Sequence, residues 1–322
     1  MPSLTVAICT HNPRADYLSR TLEGLKAQSL PRTEWDFVII DNASSPALAG
    51  QVDLSWHPHA RVVVENELGI VHARMRAMRE FTGPLLVFLD DDNVLAPDYL
   101  AKCLELFAER PDLGAVSGCL MPEYEAKPPA WFEGSPYESW IAVRRIEQSA
   151  WSNFLDSRSE PVTAGMCLRR DVAEAHVQRA VNNPLQGALG SKGTSLLRGE
   201  DVAIVKTAVR MGYTIGQFAD LKALHLIAAR RCTPGYLFAL FRHLCASGYL
   251  LSWADALGRE PVRLSWRAGL RLILHLVKGD QIRRRLAIEE IRGFNLARKI
   301  AQEWAGRSTE AKAIMQESKS NA

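Results

Sequence analysis

The chain has 322 residues, 47% of them hydrophobic, and a formal net charge of +3. That composition can bury a full core, and no apolar run reaches the ~18 residues of a membrane-spanning helix. The six cysteines (Cys9, Cys103, Cys119, Cys167, Cys232, Cys245) are scattered without a CxxC pair, which excludes a disulfide frame or a zinc site and favours core-filling thiols in a reducing compartment. The chain runs straight into a strand, so no signal peptide is expected, and the expected location is cytoplasmic.

Residues 4–9 form the first apolar run and read as a strand, followed by the loop Thr10-His11-Asn12-Pro13. Tyr17, Leu18, Leu22 and Leu25 recur at helical spacing. Residues 36–41 are a second strand ending in Asp41, and 42–46 carry turn chemistry from Asn42 onward. A third strand is expected over 61–65, then Asn66 to Gly69 and a helix over 70–81. Leu85–Leu89, five apolar residues in a row, suits a strand buried on both faces, and Asp90, Asp91 and Asp92 follow at once. Pro97 opens the next helix and 113–120 is the fifth strand. This alternation predicts an α/β fold with a mostly parallel sheet flanked by helices.

Residues 121–162 are irregular and aromatic, including Trp131 and Trp140. They read either as a surface loop packing its own rings or as a flexible platform over a pocket. Residues 163–168 suggest another strand, and 182–199, rich in Gly, Asn and Ser, a mobile stretch. Gly199-Glu200-Asp201 precedes a helix over 202–211; the two acids read as a helix cap or as a carboxylate base. His225 follows an apolar stretch and reads locally as a core residue. Beyond residue 233 the chain becomes helical to about residue 315, with Pro261 in the first turn of one helix. Arg259, Arg263, Arg267 and Arg271 are spaced by four on one face, which Leu270 and Leu274 share, so that helix is not cleanly amphipathic. Two regions are expected: an α/β domain over 1–230 and a helical C-terminal region over 231–322. Residues 259–307 hold twelve Lys and Arg against five acids, which implies an anionic partner for this tail.

The three adjacent acids at 90–92 repel one another and lose solvation if buried. A divalent cation relieves both penalties, and oxygen ligands suit Mg²⁺ or Mn²⁺. The local alternative is a solvated acidic turn. Parallel strands bring their carboxyl ends to one edge, so Thr10, Asp41 and Asp90 to Asp92 should meet along one crevice, where open α/β sheets bind ligands.

In order along the chain, LTVAICTHN (4–12), VIIDNAS (38–44), NELGIVHAR (66–74), FLDDD (88–92), Gly165 and Gly199-Glu200-Asp201 resemble the motifs of the family 2 glycosyltransferases, which have the GT-A fold. The resemblance covers about residues 3–226. It implies an inverting transfer of sugar from a nucleoside-diphosphate sugar to a hydroxyl on a glycan or lipid-linked acceptor, in surface polysaccharide or glycolipid synthesis. It implies Asp92, with His225, at a Mn²⁺ or Mg²⁺ site. Asp90 would lie near the ribose, with Asp91 beside it in the same acidic motif. Thr10, His11, Asn12, Asp41, Asn42, Asn66 and Arg74 would lie on the donor side. Asp201, beside Glu200, would be the general base, and Gly165 would stand on the acceptor side, where Trp131 and Trp140 could stack on a sugar. His11 stands where the family usually has Tyr, and Asn42 where some members have a second Asp, which leaves the base unassigned.

Three rival readings remain open on sequence alone. Asp90 to Val94 also fits the motif of haloacid-dehalogenase-like phosphohydrolases, with Asp90 as nucleophile, but that motif normally closes a first strand. A sugar-nucleotide pyrophosphorylase would need a Gly-rich loop after the first strand, and 9–14 contain no glycine. A degenerate binding module would have lost acids that are present here. No nucleic-acid partner is expected; peripheral contact of the basic C-terminal helices with an anionic membrane is.

Overall fold

A computed structural model describes residues 2–182, 190–191, 193, 195–255 and 262–320, with 306–320 as helix backbone alone. Half of the 182–199 stretch, Arg259 and Pro261 thus lie outside the described residues, as does the side chain of Met315.

Nine strands join in one sheet: β1 (Leu4–Thr10), β2 (Trp35–Asn42), β3 (Ala60–Glu65), β4 (Leu85–Leu89), β5 (Asn93–Leu95), β6 (Leu113–Tyr124), β7 (Ala150–Ser152), β8 (Cys167–Arg169) and β9 (Thr214–Ile227). Their order is β3-β2-β1-β4-β8-β6-β9-β5, with β7 on β9. The first four are mutually parallel, as expected, and β6 is parallel to β9. β8 runs antiparallel to both β4 and β6, and β5 and β7 run antiparallel to β9. The sheet is therefore mixed beyond β4. β5, β7 and β8 are three residues each, too short for a periodicity to announce them.

The apolar runs are buried on both faces because β1 alternates: Val6 and Ile8 pack into one core layer, Ala7 and Cys9 into the other. The first layer receives α1 (Ala15–Lys26) and α3 (Tyr99–Glu109). The second receives α2 (Ile70–Glu80), α4 (Arg170–Asn182) and α5 (Glu200–Arg210). Each fully buried Val, Ile, Leu or Phe contributes roughly 1.5–3 kcal/mol relative to exposure, so these two layers dominate the fold. All six cysteines are free, and five are buried.

Three helices follow: α6 (Pro234–Asp255), α7 (Trp266–Lys278) and α8 (Gln281–Ser320). α6 is no detached appendage. Its first half closes on the aromatic segment, with Trp131 stacked on Phe238 at 5.3 Å and Trp140 on Phe241 at 4.6 Å. Its second half packs on α8 through Ala246, Leu250 and Ala297. Helix α7 begins at Trp266, capped by the Ser265 hydroxyl accepting from the Ala268 N–H, so Arg263 precedes it. The four-arginine ladder reduces to Arg267 and Arg271 on this helix. Among the described residues no helix is long and apolar enough to cross a membrane.

One buried group gives the fold a pH signature. His176 on α4 is buried, its Nδ1 3.2 Å from the Thr207 hydroxyl of α5. Burial, reinforced by Arg179, lowers its pKa from 6.5 to about 4. A depressed folded-state value means stability that is present above pH 6.5 and lost as pH falls towards 4. Unfolding in urea should therefore show wild type losing about 2 kcal/mol between pH 7.5 and 5 from this group. His176→Asn should remove that part of the slope. An unchanged slope would show that His176 is not its source.

Candidate active site

The parallel register brings the expected strand ends together. Thr10 lies opposite Asp41 across β1 and β2, and Ile8 opposite Leu89 across β1 and β4, so Asp90 emerges beside Cys9 and Thr10. Because β8 is antiparallel to β4, its leading loop, 162–165, reaches this same edge. β5 and β9 set Asn93 against His225, which carries the imidazole to the acids. A cavity of about 790 Å³ opens there.

Of the residues expected on the donor side, Thr10, His11, Asn42, Arg74, Asp90 and Asp91 line this cavity, as do Asp92, His225, Glu200, Asp201 and Trp140. Asp41, Asn12, Asn66, Gly165 and Trp131 do not. The carboxylate of Asp41 is 1% exposed and spent on the following loop, accepting from the Ser44 and Leu48 N–H groups at 3.0 and 2.8 Å. Asn12 is likewise a loop clamp: its N–H donates to the Ser44 hydroxyl and its Oδ1 accepts from the Ser45 N–H. Asn66 is exposed outside the cavity. Trp131 is engaged by α6. Gly165 has φ +87°, and a Cβ there would lie 2.6 Å from the Tyr99 hydroxyl, which itself donates to the Gly165 carbonyl; the glycine is required by the turn into β8. Asn42 does line the cavity, but its amide donates to the Glu65 and Glu67 carbonyls and accepts from the Gly69 N–H. It shapes the wall more than it offers a free donor.

The acids sort into three environments. Asp90 and Glu200 are bridged by Arg74, at 3.2 and 2.5 Å. Arg74 and Glu200 are both buried. Burial pushes Arg74 down, but Glu200 and Asp90 more than reverse this; burial pushes Glu200 up against the pull of Arg74. Asp91 receives the Thr10 hydroxyl; burial, with Asp92 alongside, raises its pKa to about 7. Asp92 goes the other way. Burial would raise it, but His225, Arg231 and Arg198 hold it at about 2. Its Oδ2 lies 3.4 Å from His225 Nε2 and 3.0 Å from Arg231 Nη1. Asp201, at the start of α5, accepts from the Val202 N–H at 2.8 Å through Oδ1 and faces the cavity. Glu160 shares that region; burial and Asp201 raise its pKa, against the pull of Arg144.

Sequence reasoning missed Glu160, Arg144, Arg198, Arg230 and Arg231, all on the cavity. They come from loops and a short 3-10 turn with no periodicity, and only the adjacent arginine pairs at 144–145 and 230–231 hinted at some of them. The helix α6 was expected, but not its place at the site, where Leu244, Ser247, Gly248 and Leu251 form a wall. The Ser247 hydroxyl accepts from the Arg198 N–H at 2.8 Å, tying α6 to the segment that leads into α5.

A divalent cation fits the chemistry of this donor set. A carboxylate held ionised and an imidazole converge, and the buried His225 Nδ1 has no hydrogen-bond partner among the described residues. Arg231 already stands between the two ligands as a positive charge, its Nη1 3.2 Å from His225 Nε2. Among the described residues no three His, Cys, Asp or Glu converge as a complete metal cage. The fit is therefore to a cation that takes its remaining ligands from phosphate oxygens, as Mg²⁺ commonly does.

The family model described as Glycosyl transferase family 2 matches residues 5–173. The chain is 22% identical over 173 residues to the glucosyl-dolichyl phosphate glucuronosyltransferase of Haloferax volcanii, covering 52% of this chain and 53% of that protein. It is 27% identical over 152 residues to the succinoglycan biosynthesis protein ExoM of Rhizobium meliloti, covering 44% and 46%. The chain thus spans about half the length of the curated relatives it matches. Residues 1–349 of S. aureus TarS, solved in complex with UDP, superpose with a TM-score of 0.50 at 13% identity, over 95% of this chain and 92% of that one. That likeness is one of fold, and it agrees with the GT-A arrangement anticipated above. With more than half its length matched by the family model, this chain belongs to glycosyl transferase family 2.

Proposed function

We propose that the protein transfers a sugar, with inversion, from a nucleoside-diphosphate sugar to a hydroxyl of a glycan or lipid-linked acceptor. The observation that carries this reading is the pairing, in one cavity, of a cationic diphosphate station around Asp92, His225 and Arg231 with a separate carboxylate, Asp201. The succinoglycan and dolichyl-phosphate relatives support a polysaccharide or lipid-linked product, and the UDP complex of the TarS structure makes UDP the first donor probe. In this reading residues 1–230 hold the transfer machinery, and 231–322 form a helical region whose first helix completes the cavity.

Asp201 takes the proton of the acceptor hydroxyl as its oxygen bonds to the anomeric carbon. The bond from that carbon to the diphosphate oxygen breaks, and a single displacement inverts the centre. Arg198, Arg230 and Arg231 face the cavity and meet the charge left on the diphosphate. Arg74 fixes Asp90 and Glu200, which makes Glu200 a positioning group. Asp92 and His225 would hold Mn²⁺ or Mg²⁺, which when bound supplies further neutralisation of the leaving diphosphate. Phosphohydrolysis with Asp90 as nucleophile is set aside by the family membership. Asp90 is also tied to Arg74, and its strand is the fourth in the chain where that motif closes a first.

Arg231 and a divalent cation cannot both sit on Asp92 and His225. In Mn²⁺ titrations followed by electron paramagnetic resonance without nucleotide, Arg231→Gln should bind Mn²⁺ at least about tenfold more tightly than wild type, because a like charge within a few ångströms is gone. Adding Asp92→Asn should abolish the gain. Calorimetry should show UDP binding wild type at least about tenfold more tightly with Mn²⁺ than with chelator. Equal binding in both would sink the metal assignment.

A further inference from the structure

Helix α7 carries an apolar face that no other described residue covers. Its inner side packs on α8 through buried Leu272, with Ala268, Gly269 and Leu276 half-buried. Its outer side exposes Trp266 at 73%, Val277 at 65%, Ile273 at 58%, Leu270 at 51% and Leu274 at 47%. Advancing about 100° per residue, these five fall within one arc of roughly a quarter-turn. Arg267, Arg271 and Lys278 follow directly beside it. The expectation that this helix is not cleanly amphipathic is thus corrected. Leu270 and Leu274 are members of a continuous apolar stripe, and the arginines flank that stripe without interrupting it.

Five large apolar side chains in one exposed stripe exceed the scattered apolar residues normal on a soluble surface. On the neighbouring α8, Ile288 and Ile291 are also partly exposed, and Arg271 ion-pairs with Glu290, fixing α7 against α8 at that point. The surrounding stretch, 259–307, carries twelve basic residues against five acids. A second copy of the chain seated on this face would bring the same excess positive charge against it. A bilayer containing anionic lipid offers hydrocarbon to the stripe and negative headgroups to its basic border.

We propose that α7 is an in-plane membrane anchor, lying with Trp266, Leu270, Ile273, Leu274 and Val277 in the acyl boundary and with Arg267 and Lys278 among anionic headgroups. The anchor would hold the cavity beside a lipid-borne acceptor, and to that extent it extends the glycosyl-transfer reading. The anchoring itself needs no donor, and it is tested without one.

Full-length protein should co-sediment with vesicles of phosphatidylcholine and phosphatidylglycerol in about equal amounts, and much less with phosphatidylcholine alone. Ile273→Asp/Val277→Asp should cut the bound fraction at least about tenfold, as should Arg267→Glu/Lys278→Glu, since either signal alone gives only marginal binding. Circular dichroism and UDP binding by calorimetry should match wild type in both variants, because neither pair touches the cavity. Wild type that stays in the supernatant with anionic vesicles overturns the proposal. So does a dimer in sedimentation velocity that Ile273→Asp/Val277→Asp dissociates while vesicle binding is unaltered, which would make the stripe a contact between copies. Loss of UDP binding in wild type would defeat the donor reading and leave the vesicle result to stand by itself.

Discussion

Asp201→Asn should lower kcat by about 10²-fold or more while leaving the affinity for UDP within error of wild type. The two halves of this outcome come from the layout of the cavity. Asp201 sits at the first turn of α5 and faces the cavity. Its Oδ1 is engaged by the Val202 N–H; an Asn oxygen can accept the same bond, so the start of the helix survives. What the substitution removes is the capacity to take a proton. In the proposed reading donor affinity rests on other cavity groups, the cluster of Asp92, His225 and Arg231 and the walls formed by Thr10, His11 and Asn42. A small stability loss with normal turnover would instead make Asp201 a helix-terminus residue only, and Glu160, which faces the same part of the cavity, would be tested next. Glu200→Gln should behave differently. Its carboxylate is committed to Arg74 and the Gly199 N–H, so its loss should reach activity through stability and through the position of Asp90.

Arg74→Met should destabilise the protein by about 3–5 kcal/mol, the usual cost of stranding one partner of a buried ion pair. Arg74 is 4% and Glu200 6% exposed at the cavity wall, so little solvent is at hand to screen an unpaired Glu200 carboxylate. The urea midpoint should fall accordingly at pH 7.5. The double variant Arg74→Met/Glu200→Leu should recover most of that loss, because replacing both partners with apolar groups removes the buried charge altogether. Failure of the double variant to recover would mean that the Asp90 bond, and not the Glu200 bond, dominates the energetics. Neither variant is expected to be active, since Asp90 loses its anchor in both.

The strand ends were legible because a buried parallel strand leaves an unmistakable apolar run, and an acid just after such a run can only lie on the sheet edge. That reasoning brought Thr10 and Asp90 to Asp92 to one place without any view of the fold. It also placed Asp41 there, while Asn12 and Asn66 were put on the donor side by the family resemblance; none of the three lines the cavity. Two of the three spend their polar atoms on backbone N–H groups in the loop, and Asn66 lies outside the cavity. Sequence cannot separate these outcomes, since a loop that must satisfy its own N–H groups selects the same residue types as a binding site. Gly165, expected on the acceptor side, has a local reason to be glycine: a left-handed backbone pressed against Tyr99. Arg231 was invisible for a different cause. Nothing in its neighbourhood predicts that a short 3-10 turn, Ala229–Cys232, would swing its guanidinium back across 139 residues of chain to Asp92. The stripe on α7 was obscured by attention to its arginines, which are more conspicuous in a sequence than the apolar positions between them.

The tie between Ser247 and Arg198 bears on how such a protein can diversify. The family model ends at residue 173, yet one wall of the cavity comes from α6, more than sixty residues later in the chain. A lineage could therefore keep the donor half unchanged and exchange its customers by rewriting a single helix, trading Leu244, Gly248 or Leu251 for bulkier or more polar neighbours. Gly248 is the most permissive of these positions, since a side chain there would meet open space. Two proteins with indistinguishable first halves could then accept different sugars, and the difference would be found in α6.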